Sequence, residues 1–113
     1  MSIESLQNEL REFTDKRDWQ QFHTIKNLVL ALTGEVGELA AVVQWLDSVD
    51  ASTFAKDPKL KKAFESELAD VFIYLLRLAD VSGSNLIEIS KIKMSENAAR
   101  YTVEKSRGNA DKQ

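Results

Sequence analysis

Four carboxylates fall where a helical reading of this chain would put apolar side chains. Glu35 and Glu38 are three residues apart, as are Glu67 and Asp70, so each pair shares one helix face. Ala31 and Val42 lie on the face of the first pair, and Leu68, Ala69, Val71, Phe72 and Ile73 surround the second. Two unit charges about 5.5 Å apart repel by about 3 kcal/mol at an effective dielectric of 20. Four carboxylates converging between packed helices would therefore take up protons or gather around a cation. A single such pair is an ordinary solvated helix edge. Two, each inside an apolar run, are not. With oxygen as the only donor type, hard cations (Mg²⁺, Mn²⁺ or Ca²⁺) are favoured over Zn²⁺. The only histidine, His23, lies outside any Glu-x-x-His motif, which argues against a di-iron bundle. Mg²⁺ is the expected cofactor, with Mn²⁺ as a substitute. Carboxylate-held Mg²⁺ completes its shell with water and substrate phosphates, so phosphoryl chemistry is the expected reaction class.

A phosphate substrate needs cationic and polar partners, and there is no Walker-type glycine-rich loop. Lys93, Asn97 and Arg100 follow one another at spacings of four and three, which places them on one helix face. A solvated surface is the bland alternative for that face. Trp19, Phe22 and His23 precede the first acidic helix and Trp45 lies near its end; a nucleobase can stack on such rings, and core packing is their alternative role. Tyr74, four residues after Asp70, shares the acid face and can donate a hydrogen bond. Gly34 and Gly37 flank Glu35 inside a helix, where each costs about 1 kcal/mol relative to Ala. Close approach of a neighbouring backbone or a ligand is the expected reason, and simple tolerance the alternative.

The elements that must position these residues are helical. Four glycines and one proline in 113 residues leave few breakers, and there is no sustained alternation of strand type. Ile3, Leu6, Leu10 and Phe13 form a first stripe. Thr24 is a cap for a second helix over about 25–46, with Leu28, Leu32, Leu39, Val42 or Val43, and Leu46 on its apolar side. The segment 47–57 reads as a loop by composition. Asp57-Pro58 starts a third helix, which carries Leu60, Phe64, Leu68, Val71, Phe72, Leu75 and Leu78 and stops near Ser82-Gly83. Asn85 with Glu88 resembles a capping box for a fourth helix, whose Ile89, Ile92 and Ala99 are expected to face inward. The fold class is all-α, a four-helix bundle. One domain is expected over 1–107, with 108–113 a disordered tail.

Apolar residues are 43%, charged residues 29%, and the net charge is −3. This acidic balance gives no basic field for a nucleic acid polymer. The absence of cysteine excludes thiolate ligands and nucleophiles. The first residues lack the features of a signal peptide. The longest apolar stretch, 28–46, carries two glutamates, so no membrane association and a cytoplasmic location are expected.

The residues also resemble a known family. Arg17-Asp18-Trp19-Gln20-Gln21-Phe22-His23, Asn27-Leu28, Gly34-Glu35-Val36-Gly37-Glu38-Leu39 and Gln44-Trp45 resemble the dCTP pyrophosphatase branch of the MazG-like all-α NTP pyrophosphohydrolases. So do the run Glu67 to Leu75 and, near the C-terminus, Lys93-Met94, Asn97 and Arg100-Tyr101. The resemblance implies cleavage of a nucleoside triphosphate, dCTP or a related dNTP, between the α and β phosphates, giving monophosphate and pyrophosphate. It implies Mg²⁺ on Glu35, Glu38, Glu67 and Asp70, and a base pocket lined by His23 and Trp45 with Trp19 and Phe22. It places Lys93, Asn97, Arg100 and Tyr101 near the triphosphate, in a homodimer or homotetramer. One departure stands out: the family commonly has Pro after the Arg-Tyr pair, and this chain has Thr102, so its last helix is free to continue. Two readings of other classes compete: a non-catalytic metal- or nucleotide-binding bundle (a sensor or regulatory subunit), and an interaction module whose acids meet a basic partner helix.

Overall fold

A computed structural model describes residues 1–113. It contains six α-helices and no strand: α1 (Ile3–Lys16), α2 (Ile25–Val43), α3 (Ala51–Lys56), α4 (Pro58–Ser82), α5 (Leu86–Arg100) and α6 (Val103–Ser106), with one 3-10 turn at Gln20–Phe22. The all-α expectation holds. The chain divides into two units, Met1–Gly83 and Ser84–Gln113. No helix is long and apolar enough to cross a membrane.

In the first unit α4 is the central element, since α1, α2 and α3 all pack on it. Its start follows from chemistry: the Asp57 side chain accepts a hydrogen bond from the Leu60 N–H at 3.1 Å, and Pro58 occupies the first turn, where its missing donor costs nothing. Its end follows too, because Gly83 adopts the left-handed conformation (φ 70°) and its N–H reaches back to Ala79 and Asp80. The apolar core consists of Leu28 (1% exposed) on α2 and Leu76 (0%) and Ala79 on α4, and Gln7 of α1 donates to the Leu76 carbonyl at 3.3 Å. Each buried leucine contributes about 1.5–3 kcal/mol.

The order from α1 to α2 is set by caps. Ser2 and Ser5 form a capping box at the start of α1. Between the helices Asp18 takes a positive φ of 53°, a conformation Asp tolerates better than most residues. Gln21 then clamps it by donating to the Asp18 side chain and carbonyl. Thr24 accepts from the Asn27 N–H, as its type and position predict.

Three expectations are corrected. The second helix stops at Val43, and Leu46 N–H bonds back to the Val43 carbonyl in a turn. The stretch 47–57 holds a helix, α3, with no apolar stripe to announce it. Asp50 caps it by accepting from the N–H groups of Ser52 and Thr53, and Phe54 packs on Phe64 of α4 with ring centroids 4.8 Å apart. Finally, several positions expected inside are exposed: Phe13, Leu46, Leu68, Phe72, Leu75, Ile89 and Ile92, and Ala99. Periodicity marks a face that wants covering, but it does not say what covers it.

The second unit begins with Asn85, whose side chain accepts from the Glu88 N–H at 3.0 Å and caps α5. Helix α5 does not run on through Thr102. Tyr101 ends it, and Thr102 caps the four-residue α6 by accepting from Lys105 N–H. A residue that caps in place of Pro still breaks the helix. The segment 109–113 contains no helix.

Candidate active site

Helices α2 and α4 bring three of the four predicted acids together. Carboxylate oxygens of Glu35, Glu38 and Glu67 all lie within 4.8 Å of one another. Asp70 stands outside that triplet, yet its charge still bears on both Glu35 and Glu67. One oxygen of Glu35 (Oε2) and one of Glu67 (Oε2) are shut off from solvent and have no hydrogen-bond partner, an arrangement that native structures avoid unless something else satisfies the atom.

Electrostatics records the same conflict. Burial of the carboxylate, followed by the charges of Glu38 and Asp70, raises the Glu35 pKa above its ordinary value. Glu67 is raised for the same first reason, followed by the charge of Glu38 and a hydrogen bond shared with it. No basic side chain relieves them. The chain's ion pairs are Arg11–Asp80, Arg77–Asp80 and Lys93–Glu96, none involving these acids. Clustered oxygens, two of them orphaned, with no protein cation nearby, fit the donor set of a hard divalent ion.

The surrounding residues divide clearly. Trp45 is 88% exposed and Phe22 59%, which removes core packing as the account of either ring. Trp19 meets Phe13 edge-on, centroids 5.7 Å apart, and the Arg17 guanidinium sits over Phe13. Tyr74 is half-buried on α4. His23 is partly buried and accepts a hydrogen bond at Nδ1 from Arg77 Nε at 3.0 Å. In the second unit Lys93 pairs with Glu96 at 3.4 Å. The Asn97 carbonyl accepts from Tyr101 N–H at 2.7 Å, and Arg100 lies against the Tyr101 ring and donates to the Gln113 carbonyl. A Cβ at Gly34 or Gly37 would meet nothing within 4 Å, so close approach of this chain's own backbone is not the reason for either glycine.

Arg77 was not anticipated. It is only 6% exposed, and it touches both His23 and Asp80. Its signal was available in Leu75-Leu76-Arg77-Leu78, a charge inside an apolar run, the same anomaly that exposed the acids.

The MazG nucleotide pyrophosphohydrolase domain matches residues 23–107, a span that contains every one of the four acids. The chain belongs to this MazG family. Among its relatives, dCTP pyrophosphatase 1 of Mus musculus is 43% identical over 111 residues, covering 98% of this chain and 65% of the mouse protein. The protein of the same name from Homo sapiens is 38% identical over the same coverage. The chain thus spans a little under two thirds of the length of these mammalian relatives. The crystal structure of a pyrophosphatase from Archaeoglobus fulgidus superposes with a TM-score of 0.79 at 43% identity, covering 88% of this chain and 91% of that one. The MazG fold on this chain is therefore supported by sequence and by backbone together.

Proposed function

We propose that this MazG-family chain is a Mg²⁺-dependent nucleoside triphosphate pyrophosphohydrolase acting on dCTP or a related dNTP. The observation that carries the reading is the triplet of Glu35, Glu38 and Glu67 oxygens within 4.8 Å, two of the side chains having an orphaned oxygen. Glu35, Glu38, Glu67 and Asp70 are the proposed ligands. When bound, the cation supplies positive charge to the phosphate oxygens and Lewis acidity toward water. Water adds its oxygen to the α-phosphorus and the bond to the αβ-bridging oxygen breaks, so one water is consumed and monophosphate and pyrophosphate leave. Glu35 or Glu38 takes up the proton that the attacking water loses.

The remaining roles follow the chemistry of the side chains. Trp19, Phe22, His23 and Trp45 recognise the base, three of them (Trp19, Phe22 and Trp45) being rings open to solvent. Tyr74 donates its phenol hydrogen on the acid face. Lys93, Asn97, Arg100 and Tyr101 serve the triphosphate. Residues 1–107 are proposed to act as one domain, in the cytoplasm, as a homodimer or homotetramer. The exposed Leu68, Phe72 and Ile73 on α4 and Val29, Leu30 and Val36 on α2 support that assembly, because a protein partner would remove this apolar surface from water.

The test is pyrophosphate release from dCTP with Mg²⁺ by wild type and Glu38→Gln. Loss of at least about a hundredfold in rate, with unchanged helical circular dichroism, is expected for a removed ligand. Full activity in the variant would reject the site. A wild type that binds Mg²⁺ and dCTP without turnover would favour the sensor reading.

A further inference from the structure

The donor set around His23 constrains its proton. An arginine side chain has five N–H donors and no acceptor, so the Arg77 Nε contact at 3.0 Å requires an unprotonated Nδ1 on His23. A neutral imidazole with Nδ1 bare carries its proton on Nε2. Arg77 is itself held in place. It is 6% exposed and pairs with Asp80 at 3.4 Å, and Asp80 is gripped from α1 by two Arg11 nitrogens at 2.6 and 3.0 Å. A bidentate guanidinium–carboxylate pair fixes orientation as well as charge.

We propose that Arg77 is a positioning residue that locks His23 as the neutral Nε2–H tautomer, so that His23 presents a fixed hydrogen-bond donor to an acceptor atom on the nucleobase. The assignment of Nε2–H to a base rests on the pyrophosphohydrolase reading; the tautomer itself does not. The chain Arg11–Asp80–Arg77–His23 ties α1 and α4 to the turn before α2, so the donor is aimed by the packed helices rather than by the turn alone. A locked donor discriminates by chemistry, because a base edge offering a ring carbonyl oxygen or bare ring nitrogen is accepted and one offering N–H is opposed. Protonation of His23 would also break the lock, since Nδ1–H would then face the Arg77 donor. The lowered His23 pKa, from burial first and the Arg77 charge second, agrees with this.

Because His23 is the only histidine, the test is unambiguous. A long-range ¹H–¹⁵N spectrum of the labelled full chain at pH 7 is expected to show one neutral imidazole, protonated at Nε2. A cationic or Nδ1-protonated ring overturns the proposal without any variant. Addition of dCTP with Ca²⁺ is expected to shift the Nε2–H resonance, and no shift overturns the role at the base. In Arg77→Met, or Arg77→Leu if the first does not fold, no donor faces Nδ1 and the spectrum should become a tautomer mixture. KM for dCTP should rise by at least about twofold, the factor an equal tautomer mixture imposes because only the Nε2–H form binds, with kcat unchanged. A variant with the wild-type tautomer, or with kcat lost and KM unchanged, contradicts it. Absence of hydrolysis of every common dNTP and NTP by wild type with Mg²⁺ overturns the pyrophosphohydrolase reading alone, because the tautomer is read without turnover.

Discussion

At Glu35 and Glu67 the folded chain holds protons more tightly than the unfolded chain does, because burial and neighbouring acids raise both pKa values. The sign follows from linkage. A carboxyl group whose folded pKa exceeds its unfolded value near 4.5 costs stability as pH rises from that value through the raised one. The metal-free protein should thus lose thermal stability between mildly acidic and neutral pH, and a divalent cation should restore it at neutral pH. Glu67→Gln is expected to raise the metal-free Tm at pH 7 and abolish the Tm increase caused by Mg²⁺. Calorimetry at pH 5 and 7, with and without Mg²⁺, measures both, and a lower metal-free Tm for the variant would contradict the account. His23 works in the opposite direction. Its pKa is lowered from 6.5, so its share of stability is full above 6.5 and is lost as pH falls through that value toward the folded one. Glu67→Gln isolates the carboxylate part of the profile. The acids were legible because Glu35/Glu38 and Glu67/Asp70 break apolar runs at helical spacing. Arg77 also interrupts an apolar run, but a lone charge there is less telling than a pair, and its partner His23 is 54 residues away.

The helices are held by a few named contacts, and each can be removed singly. Leu76→Ala deletes the most buried side chain of α4 and should cost about 2–5 kcal/mol in a denaturant titration. Asp80→Asn leaves the buried Arg77 guanidinium unpaired and frees α1 from its clamp. Because the Arg11 end is exposed and screened, a loss of about 2–4 kcal/mol is expected, read in the same titration. A loss below 0.5 kcal/mol, allowing about that much for ordinary surface substitution, would show that the clamp is ornamental. Elements with a stripe and strong termini could be read in advance: Asp57-Pro58 and Gly83 bound α4, and Thr24 and Asn85 cap α2 and α5. Helix α3 escaped because six residues with a single aromatic anchor, Phe54, have no period to detect. Its stability lies in the Asp50 cap and in Phe64, which is distant in sequence. Thr102 escaped for a different reason: without proline, a helix stop depends on whether a hydroxyl caps or continues, and either is open to threonine.

For the whole molecule, the apolar residues left uncovered on α2 and α4 are the main unsettled term, and a second copy of the chain is the proposed cover. Sedimentation at micromolar concentration should give a dimer or tetramer, and Phe72→Glu should shift it toward monomer; a wild-type monomer would refute the assembly. Which faces are apolar was legible from the sequence, but what covers them was not, because a stripe carries no address. The most direct measurement of the reaction incubates the purified chain with Mg²⁺ and each common dNTP and NTP in turn and identifies the products by chromatography. Nucleoside monophosphate and pyrophosphate in equal amounts are expected, with dCTP among the best substrates and EDTA stopping the reaction. Nucleoside diphosphate with orthophosphate, or no product from any nucleotide, would contradict the proposed reaction.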